Sequence, residues 1–188
     1  MSGNNISNIR QYNFNSQDRL FFDTNIWYFI YGPQGDPKDP RPIIYSKAYK
    51  EVISKGSKIY IDPLVLSEFI NRFARFHYNL WNEELPEAEQ VEFKTYRKSQ
   101  DFKAVAQEIE MAVQAILVDA KPVESGLVVT VSLNKVIQEY GKGESDFTDL
   151  MVVEICRRNS FTLVTDDSDY RVTDIAVLTS NRSLLGNP

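Results

Sequence analysis

Four short apolar runs, each running straight into an acid or a helix-start signal or standing near the end of the chain, constrain this chain most. Leu20-Phe21-Phe22 ends at Asp23, and Ile59-Tyr60-Ile61 ends at Asp62-Pro63. Phe161-Thr162-Leu163-Val164-Thr165 ends at Asp166-Asp167, and Ile175-Ala176-Val177-Leu178 follows shortly after. Apolar runs of this length without polar alternation suit strands buried on both faces. Helical patterns separate them, and strands alternating with helices build a mainly parallel α/β sheet covered on both sides. In such sheets ligands bind beyond the carboxyl ends of the strands. The acids that close the runs are therefore the first candidates for chemistry.

The intervening segments read as follows. Thr24 and Asn25 begin a short helix that Gly32-Pro33 stops. Ile43 to Lys55 is helical, with Gly56 as its stop. Asp62-Pro63 opens a helix carrying Leu64, Val65, Phe69, Ile70 and Phe73 at helical spacing. A mostly helical stretch follows from about Glu87 to Asp119, and Leu133 to Tyr140 is helical. Leu127 to Val131 is a short strand candidate. Asp146 to Asn159 is a largely apolar helix. With 188 residues the chain fits one domain. The division is a polar, irregular arm over residues 1–18 and a single domain over 19–188, with a helical insert at about 76–119.

Composition excludes several chemistries. One cysteine, Cys156, allows no intrachain disulfide and no thiol cluster for zinc. No apolar run reaches the roughly 18 residues of a membrane span, and residues 1–18 lack the basic flank and apolar core of a signal peptide, so a cytoplasmic home is expected. The single histidine, His77, stands nine residues from Glu68, which at about 100° per residue turns it to the opposite side of a helix. That argues against Ser–His or Cys–His catalysis. A net charge of −5 is unfavourable for nonspecific nucleic-acid binding, unless carboxylates hold a divalent ion that reverses the local sign.

Asp23 and the Asp166, Asp167, Asp169 group fall at strand ends on the edge where sites form. Glu68 lies within two turns of a helix start, and Asp149 lies in the first turn of another helix. Carboxylate oxygens are the preferred ligands of magnesium and manganese, and such ions activate water and neutralise phosphate charge. Each acid also has a plainer use. Asp23 can cap a helix, Asp146 can cap the helix that holds Asp149, and Asp149 suits the dipole at that helix start. Asp166 reads as an exposed turn acid, and Asp169 as a turn cap or a contact to metal-bound water.

FFDTNIW, IDPLVLSEFINRF and SDFTDLMVVEICRRNSFTLVTDDSDY together resemble the motifs of PIN domains, in the order that family has them. The resemblance implies a three-layer α/β/α sandwich and a magnesium- or manganese-dependent endoribonuclease, often a VapC-type toxin with an antitoxin partner, often a homodimer. Carried over by position, Asp23, Glu68, Asp149 and Asp167 are the catalytic, metal-holding acids, with Asp169 as an accessory ligand. Thr24, Asn25, Asp146 and Thr165 would orient them. Arg72 and Arg75 share the Glu68 face at spacings of four and seven, to meet RNA phosphates or to pair with local acids. Trp27, Tyr28, Phe29 and Tyr31 serve base stacking or packing, Arg157-Arg158 the helix dipole, and Cys156 the core. The long insert and the polar arm depart from compact toxin-type members. Two rivals remain: a PIN-like module that binds RNA or protein without cutting, and another metal-dependent phosphohydrolase. The haloacid-dehalogenase pattern wants Asp-x-Asp after the first strand, where this chain has Asp23-Thr24-Asn25.

Overall fold

The computed structural model describes residues 5–33, 35–123, 133–143, 145–171 and 174–186. Six strands form one sheet: β1 (Ile6–Asn8), β2 (Arg19–Phe22), β3 (Lys58–Ile61), β4 (Ala120–Pro122), β5 (Thr162–Val164) and β6 (Val177–Thr179). Their spatial order is β1-β6-β5-β2-β3-β4, and every neighbouring pair is parallel. The strand candidate at 127–131 lies outside the described residues.

Seven α-helices stand among the described residues: α1 (Thr24–Tyr31), α2 (Arg41–Ser54), α3 (Pro63–Glu83), α4 (Phe93–Tyr96), α5 (Asp101–Asp119), α6 (Leu133–Tyr140) and α7 (Phe147–Asn159). α1 packs on α2 and α3, α3 packs on α4 and α5, and α6 packs on α7. From β2 the chain advances through β3 to β4, then returns to β5 on the other side of β2. With right-handed crossovers the first group of helices covers one face and α6–α7 the other. The result is an α/β/α sandwich.

The central strands are apolar because both faces are covered. Leu20, Phe21, Phe22, Ile59, Leu163 and Val164 are all buried. Phe21 stacks on Phe161, and Phe161 on Tyr60. Helix starts follow local chemistry. Asp62 accepts from the Leu64 amide at 2.9 Å, with Pro63 in the first turn.

Three differences from the sequence expectation have physical causes. The polar arm contributes β1 at the sheet edge and buries Ile9 and Phe14. Its single-sided pairing needs no long apolar run. The Asp62-Pro63 helix continues to Glu83, and the following stretch is broken into a 3₁₀ turn, α4 and α5. β4 is Ala-Lys-Pro, too short and polar to read as a strand, and its Pro122 is tolerated at an edge. No helix among the described residues is long and apolar enough to cross a membrane.

Candidate active site

β2 and β5 are neighbours, yet from β2 the chain runs away to one side and from β5 to the other. Such a switch in direction opens a crevice at the carboxyl ends of the two strands. Asp23 follows β2 and Thr165 to Asp169 follow β5, and the Asp23 amide donates to the Val164 carbonyl at 3.0 Å. The topology therefore brings the first and last acidic motifs together.

Asp23 is buried and serves as the cap of α1, at the carboxyl end of β2. Its Oδ1 accepts from the Thr24 amide at 2.7 Å. Its Oδ2 accepts from the Thr165 hydroxyl at 2.8 Å and the Asn25 amide at 2.5 Å. Thr165 in turn accepts from the Asp167 amide at 3.1 Å, and Asn25 Oδ1 accepts from the Asp166 amide at 3.1 Å. The Thr24 hydroxyl donates to Glu68 Oε2 at 2.9 Å, tying α3 to the same centre. Thr24, Asn25 and Thr165 thus orient the acids.

Asp149 is half-buried in the first turn of α7, with Asp146 as the cap, its carboxylate accepting from the Thr148 amide at 2.7 Å. The buried Tyr170 hydroxyl donates to Asp149 Oδ1 at 2.9 Å. Asp167 is half-buried, and its Oδ1 accepts from the Asp169 amide at 3.0 Å. Glu68 and Asp169 are exposed.

The electrostatics are those of an uncompensated acidic centre. Burial pushes the Asp23 carboxyl up to about 7, against the downward pull of its Thr165 and Thr24 hydrogen bonds; Glu68 and Asp149 push it further up. Burial likewise raises Asp149 to about 6, opposed by Tyr170 and helped by Asp167, Asp146 and Asp169. Among the described residues no Lys, Arg or His forms an ion pair with Asp23, Glu68, Asp149 or Asp167. Hard oxygen donors without counter-charge are what a divalent cation fits. Among the described residues, however, no group of three or more acids, His or Cys is gathered closely enough to hold an ion directly. The donor set therefore suits an ion held by one or two carboxylates that keeps several waters, as magnesium does.

Several side chains play parts other than those read from the sequence. Asp166 is not an exposed turn acid: its side chain is only 9 % exposed. It accepts from the Tyr45 hydroxyl at 2.6 Å and the Ser180 hydroxyl at 3.3 Å. Tyr45 also reaches the Thr165 carbonyl at 3.3 Å and accepts from the Ser180 amide at 2.9 Å. This clamp pins the loop carrying Thr165 and Asp167 to α2 and to the end of β6. Neither Tyr45 nor Tyr170 stood out in the sequence. Tyr45 lies in a helix among other aromatics, and its partner is 121 residues away. Tyr170 shows only as the aromatic that closes the last motif.

Arg72 and Arg75 have no acidic partner among the described residues. Their guanidinium groups lie over the rings of Tyr28 and Phe93, at 4.4 Å and 4.6 Å from the centroids. Arg157 and Arg158 pair with Glu154, and Arg157 also with Asp174, so they serve ion pairs besides the helix dipole. Trp27 is core, whereas Tyr28, Phe29 and Tyr31 are half-buried. His77 stacks on Phe73 with ring centroids 5.2 Å apart, and its Nε2 lies 3.8 Å from Glu108. Cys156 is buried, and burial followed by the nearby Asp23 charge pushes its thiol up, which keeps it inert.

A family model for the PIN domain matches residues 20–176. The chain belongs to the PIN domain family. The matched span includes Asp23, Glu68, Asp149, Asp167 and the strands and helices that place them. The PIN fold is also what the chain shares with the crystal structure of VapBC2 from Rickettsia felis bound to a DNA fragment from their promoter. The likeness has a TM-score of 0.50 at 14% identity and covers 86% of this chain and 98% of that one. No curated protein sequence matches the chain.

Proposed function

We propose that this PIN domain is a divalent-metal-dependent endoribonuclease that hydrolyses RNA phosphodiester bonds. What supports the reading is that Asp23 follows β2 and Asp167 follows β5, that the Glu68 and Asp149 charges push the Asp23 carboxyl up, and that among the described residues no Lys, Arg or His is ion-paired with any of the four. A site that keeps a carboxylate buried and raised to about 7 by its surroundings and neighbouring acids is strained without a cation. A site that only bound RNA would gain nothing from it.

Asp23, Glu68, Asp149 and Asp167 would hold magnesium or manganese, with Asp169 as an accessory acid. Such an ion would neutralise phosphate charge and lower the pKa of a water. Thr165, Asn25 and Thr24 keep Asp23 and Glu68 in a fixed orientation, and Tyr170 fixes Asp149. Asp146 sets the start of α7 and adds negative field. Arg72 and Arg75 supply cationic charge on the exposed face of α3 beyond Glu68, where an RNA backbone would run.

Membership of the PIN family and a fold shared with VapBC2 support a toxin of a toxin–antitoxin pair; a cytoplasmic location and a homodimer are proposed with it. Asp23→Asn and Asp149→Asn should each abolish manganese-dependent RNA cleavage while circular dichroism remains that of the wild type. Retained cleavage in Asp23→Asn would overturn the site.

A further inference from the structure

α1 and α3 leave β2 and β3 side by side, and both run away from the carboxyl edge of a parallel sheet, so matching turns of the two helices face each other. Thr24 meets Glu68 through a 2.9 Å hydrogen bond. Four residues further along each helix, about one turn or 5.4 Å, Tyr28 meets Arg72, with the guanidinium 4.4 Å from the ring centroid. Tyr28 is held edge-on against Phe69, whose centroid is 6.3 Å away, so the ring cannot swing freely. Beyond this pair opens a cleft of about 540 Å³, lined among others by Glu68, Asn71, Arg72, Arg75 and Phe76.

We infer that this cleft is a nucleobase subsite for single-stranded RNA, holding a nucleotide beside the bond cut at the acids. The inference rests on the reading of the site as a ribonuclease. Three observations favour this occupant. The cleft is continuous with Glu68, so whatever fills it is one step from the reacting phosphate. Its two arginines have no acidic partner among the described residues and are stacked on rings, which leaves their N–H edges for phosphate oxygens. The Arg72 guanidinium over the Tyr28 ring makes a cationic, aromatic platform of the kind that takes an unpaired base, and a paired base inside a duplex is not available to it. Asn71 sits three residues after Glu68 on the exposed face of α3, where its amide offers a donor and an acceptor to a base edge. Arg72 and Tyr28 then set affinity, and Asn71 sets base preference at one position.

The test is steady-state cleavage of a randomised single-stranded RNA in manganese, reading KM, kcat and the base frequencies on either side of the cut. Arg72→Met and Tyr28→Leu should raise KM about tenfold, the effect of losing one stacked base, with kcat within about twofold of wild type. Asn71→Leu, on the exposed helix face, should flatten the base preference at a single position beside the cut and leave the others unchanged. If RNA is cleaved but all three variants keep wild-type KM and base frequencies, the subsite is refuted and the ribonuclease reading stands. A fall in kcat with KM unchanged also refutes it, because Arg72 would then serve the reacting phosphate. If the wild type cleaves no RNA, the ribonuclease reading falls and the subsite falls with it.

Discussion

Asp23→Asn should change the stability of the metal-free protein in a direction set by pH. The wild-type carboxyl is raised from 3.8 to about 7 by burial first and by the Glu68 and Asp149 charges last. A carboxyl whose pKa is higher folded than unfolded favours the fold below the unfolded value and loses that contribution as pH rises through the folded one. Stability of the metal-free protein therefore falls from about pH 4 to about pH 7 and then levels off, and Asp149, raised to about 6, acts in the same sense. For Asp23 the full difference corresponds to about 4 kcal/mol above neutral pH. Asn resembles the protonated acid and carries no charge, but it leaves one of the three donors around Asp23 without an acceptor, costing about 1 kcal/mol. In EDTA at pH 8 the variant should be more stable by about 3 kcal/mol, or about 6–12 °C in Tm for a chain of this size. At pH 4 it should equal the wild type or fall below it by about 1 kcal/mol. Paired thermal melts at the two pH values read this directly. A variant destabilised equally at both would refute the account of Asp23 as a strained, uncompensated carboxylate.

Other substitutions follow the same network. Manganese should raise the Tm of the wild type at pH 8 in a concentration-dependent way and leave Asp23→Asn almost unmoved, as differential scanning fluorimetry would show. Tyr45→Phe removes the hydroxyl that holds Asp166 and Thr165, so it should cost about 1–2 kcal/mol in urea melts and lower kcat through loosening of the Asp167 loop. Thr165→Val removes the donor to Asp23 and the acceptor for the Asp167 amide; it should weaken manganese binding, seen by calorimetry, more than it lowers stability. Ile116→Ala, fully buried in α5, should cost about 2–5 kcal/mol with cleavage per folded molecule unchanged.

The parts of this molecule that were legible in its sequence are those with a local physical signature. Leu20-Phe21-Phe22 and Phe161 to Thr165 are apolar because both sheet faces are covered, and the acids after them stand out by contrast. Asp62-Pro63 and Asp146 start helices by capping chemistry that needs no tertiary context. The parts that stayed hidden depend on distant partners. β1 and β4 exist because an existing sheet offers them a partner edge, not because Ile6–Asn8 or Ala120–Pro122 favour extended backbone. Asp166 reads as one more turn acid until α2 brings Tyr45 to it, and Arg72 is ambiguous until α1 places Tyr28 beneath its guanidinium. The candidate acids could be named one by one, but the meeting of the Thr165–Asp167 loop with Asp23 depends on β5 lying beside β2, which sequence patterning does not encode locally.

Cleavage of a mixed-sequence single-stranded RNA by the purified protein, with manganese and again in excess EDTA, tests the central claim most directly. Internal cuts that appear with manganese and vanish with EDTA are the predicted result. Cleavage that persists undiminished in EDTA would contradict the carboxylate–metal account of the β2/β5 crevice.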